Sequence, residues 1–304
     1  MKILITGGAG FIGSNIVEHF HETDEVVVLD SLRSGFERNL RGFNVRFVKG
    51  SITEKSIVDD VATGVDYIFH LAALVSVPES VEKPHETVDI NVLGTLNVLD
   101  AARKHRVKKV VISSSAAIYG DNPTVPKLES MVPEPKSPYA ITKLDAEYYA
   151  KMYTSEFSVP VVCLRYFNVF GPRQNPKSQY AAAVPIFIDH AIKNQEITIY
   201  GDGEQTRDFV FVKDIVSANA LAAKSAPPGV YNIACGGKIT INDLAKTIIV
   251  LTKSSSKIRY AGERAGDVKH SQADIHKAES FGFHPRYSLE EGLIPTAEYL
   301  ANKQ

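Results

Sequence analysis

The stretch Lys2-Ile3-Leu4-Ile5-Thr6 runs straight into Gly7-Gly8-Ala9-Gly10-Phe11-Ile12-Gly13, and this junction constrains the fold more than any other part of the chain. A short apolar strand, a glycine-rich turn and a helix start leave the backbone few courses. It must reverse tightly, let another group approach closely, and present the free N–H groups of a helix N-terminus. Glycines at 7, 10 and 13 meet the physical requirements of a pyrophosphate cradle, although the spacing is GxxGxxG rather than GxGxxG. A carboxylate, Asp30, closes the next apolar run. It suits the two ribose hydroxyls of an adenosine and repels a 2′-phosphate, so the expected cofactor is NAD. Arg33, nearby, is the cation that would favour NADP.

Six apolar runs without polar alternation read as strands covered on both faces: Lys2–Thr6, Glu25–Asp30, 45–50, 67–73, 108–113 and 159–167. Between them, Phe11–Phe20, 54–62, 84–105 and 137–157 read as helices. Repeated strand–helix–strand units predict an α/β fold, a Rossmann-type doubly wound parallel sheet. After the punctuation of 171–176, the pattern changes to helices near 181–193, 214–224 and 241–252, with strands at 198–200 and 209–212. The expected organisation is an NAD-binding domain over 1–168, rejoined by the chain around 206–234, and a smaller mixed C-terminal substrate domain over 169–304.

Composition narrows the partners. The charges nearly cancel, with a net charge of -1, so no electrostatic footprint for nucleic acid or an anionic membrane is present. No apolar run approaches the roughly 18 residues needed to span a bilayer. Cys163 and Cys235 are the only cysteines, without a CxxC or Cys/His cluster, so neither a disulfide framework nor a metal is expected. No basic and apolar leader precedes Lys2. The expected setting is the cytoplasm.

Tyr139-Ala140-Ile141-Thr142-Lys143 places a phenol and an ammonium on one helix face. A cation beside a phenol favours the phenolate, and the positive charge of an oxidised nicotinamide would add to this. Tyr139 could then exchange a proton with a substrate hydroxyl while a hydride moves. Val110-Val111-Ile112-Ser113-Ser114-Ser115 ends a strand at the carboxyl edge, where doubly wound sheets bind ligands. A serine hydroxyl there can bond both the phenol and the substrate oxygen.

Residues 6–13, His70-Leu71-Ala72-Ala73, residues 113–120, Ser137-Pro138-Tyr139 with Lys143, and Arg165-Tyr166-Phe167-Asn168 together resemble the extended short-chain dehydrogenase/reductases, over essentially the whole chain. Within them the UDP-sugar 4-epimerases (UDP-glucose, UDP-galactose and UDP-N-acetylglucosamine types) are the nearest pattern. The resemblance implies catalysis by Ser115, Tyr139 and Lys143. It implies NAD contacts from Gly7, Gly10, Phe11, Ile12, Gly13, Asp30, Ser31, Ser34, Gly35, Ser51, Ile52, Leu71, Ala72, Ala73, Asn91 and Phe167, besides Tyr139 and Lys143. For a UDP-sugar substrate it implies Arg207 and Arg264 on the diphosphate, Asp267 on the uridine ribose and Tyr200 beside uracil. Asn168, Ala183, Val184 and Ser271 complete that set, with Ser115 at the sugar. Ser31 and Ser51 stand where Asn and Asp are common, and Val75 where some epimerases have Lys. A homodimer built on the helices over 84–105 and 137–157 is implied as well.

Dehydratases of this group carry an Asp-Glu pair after the catalytic hydroxyl, and decarboxylases a Glu; this chain has Ala116-Ala117. Methyl groups neither give nor take protons, so hydride transfer with one acid/base remains, as in epimerisation at C4. Ser271 is small where a bulky Tyr excludes an N-acetyl group, so UDP-GlcNAc/GalNAc is expected beside UDP-Glc/Gal. A uronate 4-epimerase, a 4-ketoreductase and a redox-sensing NAD-binding regulator are the alternatives.

Overall fold

A computed structural model describes residues 1–176, 182–263 and 269–302. In chain order its strands are β1 (Lys2–Thr6), β2 (Glu25–Asp30), β3 (Arg46–Lys49), β4 (Tyr67–His70), β5 (Lys109–Ser115), β6 (Val161–Tyr166), β7 (Asn168–Phe170), β8 (Ile197–Tyr200), β9 (Thr206–Arg207), β10 (Phe209–Phe211), β11 (Gly229–Ile233), β12 (Ile239–Thr240) and β13 (Ile258–Ala261). The helices are α1 (Phe11–Phe20), α2 (Lys55–Val61), α3 (Val77–Glu82), α4 (Pro84–Val88), α5 (Gly94–Lys104), α6 (Pro138–Phe157), α7 (Ala183–Ile192), α8 (Val212–Lys224), α9 (Ile241–Leu251), α10 (His276–Glu279) and α11 (Leu289–Ala301).

Seven strands form one sheet in the order β3-β2-β1-β4-β5-β6-β11, all parallel. This is the doubly wound α/β architecture that the alternating runs predict. Because side chains alternate across a strand, Ile3 and Ile5 enter one core while Leu4 enters the other. The first core joins α1 and α8 through Ile16, Val17, Phe20, Ile215 and Ala222. The second joins α2, α5 and α6 through Val58, Val98, Leu99 and Ala146. Burial of one such Leu or Ile contributes about 1.5–3 kcal/mol, which makes both faces load-carrying rather than one. A third core, with Phe170, Phe187, Ile199, Phe211, Leu244 and Leu293, packs α7, α9 and α11 against β8 and β10.

Strand order reverses between β1 and β4, so their carboxyl ends open the crevice where such sheets take ligands. The chain re-enters the sheet at β11, whose Gly229–Ile233 pairs with β6. The loop before α6 guards this edge: Glu129 accepts the Asn232 N–H at 2.8 Å.

The helix expected over 84–105 is interrupted. Between α4 and α5 the backbone takes a π turn over Asp89–Leu93, centred on buried Asn91. Asn91 leaves the ordinary helix face to bond Leu74 twice, at 2.7 and 3.0 Å, and Thr142 at 3.0 Å. Gly94 then lets the helix settle on Ile52, where a Cβ would come within 2.6 Å of the side chain. Strand β5 also continues two residues beyond its expected end at Ser113. Among the described residues, no helix is long and apolar enough to cross a membrane.

Candidate active site

The glycine loop is fixed from several directions. Gly7 adopts φ +73°, and a Cβ there would lie 2.7 Å from the Ala72 nitrogen. A Cβ on Gly13 would lie 2.2 Å from the Gly7 carbonyl oxygen, so only glycine lets α1 pack this close to β1. Gly10 caps α1 without a side-chain hydrogen bond, and no acidic residue occupies the first turn, where Phe11 and Ile12 lie. The N-terminus therefore keeps its partial positive charge for a ligand. Asp30, at the end of β2, accepts the Ala9 N–H at 2.9 Å and the Leu32 N–H at 2.7 Å. Each oxygen retains a lone pair for a ribose hydroxyl. Burial raises its pKa above the usual carboxylate value. The buried Asn39, which carries no sequence signal, holds the Ala9 carbonyl at 2.9 Å. Gly35 packs against Ala9, while Ser31 and Ser34 are exposed nearby. These groups fit a dinucleotide. Arg33 is held by Glu79 and Glu86, so the cation that would have welcomed a 2′-phosphate is neutralised within the protein.

On the far side of the crevice, Leu71, Ala72 and Ala73 follow β4. Beneath them a hydrogen-bonded chain has one consistent direction. The Thr95 hydroxyl donates to the Asn91 carbonyl at 2.6 Å, so it accepts from His70 Nε2 at 2.9 Å. His70 Nδ1 then accepts the Thr6 hydroxyl at 2.7 Å. Burial lowers the His70 pKa to about 3, keeping the ring neutral. Two expected cofactor residues have side chains held by the protein itself. The Ile52 side chain is buried in the core of α2 and α5. The Ser51 hydroxyl closes its own turn with Thr53, at 2.8 Å to the hydroxyl and 3.2 Å to the nitrogen. Phe167 is buried beside Tyr119 and Ala273.

Ser137 caps α6 by accepting the Ala140 N–H at 3.2 Å, and Pro138 fills the first turn. This start sets Tyr139 and Lys143 on one face, with the Lys143 nitrogen 5.9 Å from the Tyr139 ring centre. Lys143, only 6% exposed, donates to the Ser113 carbonyl at 2.6 Å. Burial lowers its pKa to about 8, against the pull of Cys163 and Glu147. Burial raises the Tyr139 pKa, with a hydrogen bond to Ser115 acting the other way. Desolvation in this dry site opposes the negative charge that Lys143 and an oxidised nicotinamide would favour on the phenol. Ser115 ends β5 and accepts the Ala117 N–H at 3.1 Å, opening a turn over Ala116–Tyr119.

The residues expected at the substrate come from several strands. Tyr200 ends β8 beside Ala261 of β13, and Arg207 lies in β9 opposite Ile239 of β12. Ser271 is held to β9 by its N–H on the Thr206 carbonyl at 3.1 Å. Asn168 donates to the Asp208 carbonyl from both its backbone and side chain, at 3.2 and 3.3 Å. Ala183 opens α7, and the Val184 side chain is buried in the third core. Arg264 and Asp267 lie outside the described residues. Sequence reasoning passed over Asp208, which is 1% exposed and accepts N–H groups from Cys235, Gly236 and Ala273 at 2.9–3.1 Å. Burial pushes its pKa up to about 6. Its only sequence signal is an acid directly after a candidate phosphate-binding Arg.

Residues 3–234 match the NAD dependent epimerase/dehydratase family. The chain is 36% identical over 312 residues to a UDP-glucose 4-epimerase of Mycolicibacterium smegmatis, covering 100% of this chain and 99% of the relative. It superposes on the UDP-N-acetylglucosamine 4-epimerase of Methanobrevibacter ruminantium M1, solved with UDP-N-acetylmuramic acid, with TM-score 0.97 and 40% identity over 100% and 99% of the two chains. The UDP-glucose 4-epimerase of Thermotoga maritima, solved with UDP-glucose, gives TM-score 0.96 at 40% identity, covering 100% of this chain and 99% of that one.

Proposed function

This chain belongs to the NAD dependent epimerase/dehydratase family, and we propose that it inverts C4 of a UDP-hexose through a transient 4-keto sugar. The observation that carries the reading is the meeting of Ser115, Tyr139 and Lys143 at the carboxyl end of β5, where two alanines follow Ser115. One proton-handling unit is present, and Ala116-Ala117 after it offer only methyl groups where an elimination needs a further acid and base. Similarity to two UDP-sugar 4-epimerases at 40% identity supports the same substrate class.

NAD, which the glycine loop and Asp30 would hold, would supply the hydride acceptor and donor for C4 and, when oxidised, a positive charge that favours the phenolate. Tyr139 Oη takes the proton of the C4 hydroxyl as that carbon is oxidised, then returns it after the ketone has been reduced from its opposite face. The ammonium of Lys143 stabilises the phenolate that accepts this proton and that forms again once the proton is returned. The Ser115 hydroxyl orients the substrate oxygen towards Tyr139. Arg207, with Arg264, neutralises the diphosphate, for which a guanidinium is the geometric match. Asp267 takes the uridine ribose. In this reading, residues 1–168 and their return carry the cofactor, and 169–304 the nucleotide-sugar.

The small Ser271 supports acceptance of UDP-GlcNAc as well as UDP-Glc. The deciding experiment incubates the protein separately with UDP-Glc, UDP-GlcNAc and UDP-GlcA and catalytic NAD, followed by separation of the C4 epimers. Turnover of the first two is expected; absence of an epimer from all three defeats the proposal. Ser271→Tyr is expected to lower the ratio of N-acetyl to plain-sugar turnover, and an unchanged ratio removes Ser271 from the account.

A further inference from the structure

Ser115 and the pair Tyr139–Lys143 stand on different elements, so their mutual placement depends on how α6 is keyed to the sheet. One turn beyond Lys143, buried Glu147 accepts the Ser114 hydroxyl at 2.5 Å. Arg165 grips both Glu147 oxygens, through Nε at 2.9 Å and Nη2 at 2.7 Å. Arg165 lies on β6 directly beside Ser114 in the ladder, and its Nη1 donates to the Tyr119 hydroxyl at 2.8 Å. Tyr119 in turn donates to Asn232 on β11 at 2.7 Å. It also closes the turn that Ser115 opens. Both flanks of Ser115 are thus tied to one ion pair: Ser114 through Glu147, and Tyr119 through Arg165.

We propose that the Glu147–Arg165 pair is a positioning device that sets the Ser115 hydroxyl against Tyr139 and Lys143. The inference rests on the reaction proposed above. Stability alone does not account for the pair, since a buried ion pair loses hydration and is often replaceable by apolar side chains without loss. Both residues line a cavity of about 440 Å³ between α6 and β11, yet the guanidinium turns inward to the polar groups around Ser115. The negative charge of Glu147 also opposes the effect of burial on Lys143, so one carboxylate serves both members of the site.

The test compares Glu147→Gln, which leaves a buried guanidinium unpaired, with the charge-free double variant Glu147→Leu/Arg165→Met. Glu147→Gln is expected to lower the melting midpoint, and the double variant to recover it. In the recovered double variant, kcat falls about 10- to 100-fold while KM for the UDP-sugar changes little, as expected of misplaced catalytic groups. Its crystal structure is expected to show the turn at Ser115 displaced. Wild-type kcat in the stable double variant, or a Ser115 that superposes on the wild type, overturns the inference. Should the wild-type protein epimerise none of the sugars, the reaction reading fails, and the position of Ser115 in the variant structure decides this point alone.

Discussion

Tyr139 and Lys143 share a helix face because four residues make roughly one helical turn, but their ionisation follows from where that face is buried. Tyr139→Phe is expected to lower epimerase kcat by about 10²–10⁴-fold while NAD remains bound, read from turnover and cofactor content. The pKa of Lys143 near 8 gives a second expectation. As pH rises past that value the ammonium is lost, phenolate stabilisation fades, and kcat declines. Stability moves the other way. Between about 8 and the ordinary 10.5 the unfolded chain binds the proton that the folded chain has released, so this residue's contribution to stability rises with pH there. Denaturant titrations of wild type and Lys143→Met across that range check the sign; a falling difference contradicts it. Residue spacing made this pair readable in the sequence. Asn39, Glu147 and Asp208 were not readable, because each acts on backbone or side chains far away in the chain.

At the scale of elements, α1 and the strap carrying Ser271 depend on close fits. Gly13→Ala places a Cβ 2.2 Å from the Gly7 oxygen, so the helix must withdraw from β1. Loss of NAD affinity is expected, measured by titrating cofactor into the purified variant. Asp208→Asn turns an N–H donor toward at least one of three backbone N–H groups. A loss of about 1–3 kcal/mol in stability is expected, with a higher KM for UDP-sugar because the strap around Ala273 loosens. An unchanged KM would separate Asp208 from substrate binding. The sheet strands were readable because burial on both faces writes continuous apolar runs. The π turn at Asn91 was hidden, since the helical pattern continues through it and only contacts with Leu74 and Thr142 break it. β11, β13 and α11 lie where short, mixed sequence takes its shape from the elements it joins.

Across the whole molecule, α3, the π turn and α6 expose Val81 (61%), Leu93 (50%) and Tyr148 (61%). A homodimer over the helices at 84–105 and 137–157, as family resemblance implies, would cover Leu93 and Tyr148. Light scattering is expected to give twice the chain mass, falling to one chain for Leu93→Glu; a monomeric wild type defeats this assembly. The sheet itself has two ends. At one, β3 is four residues long and begins and ends with the cations Arg46 and Lys49. At the other, the carboxylate of Glu129 already occupies the Asn232 N–H. Each end denies a passing strand a place to pair, by charge at β3 and by prior occupation at β11. A crowded solution of this protein should therefore resist the edge-to-edge stacking that seeds fibrils, and Glu129 is the side chain whose loss would reopen that route.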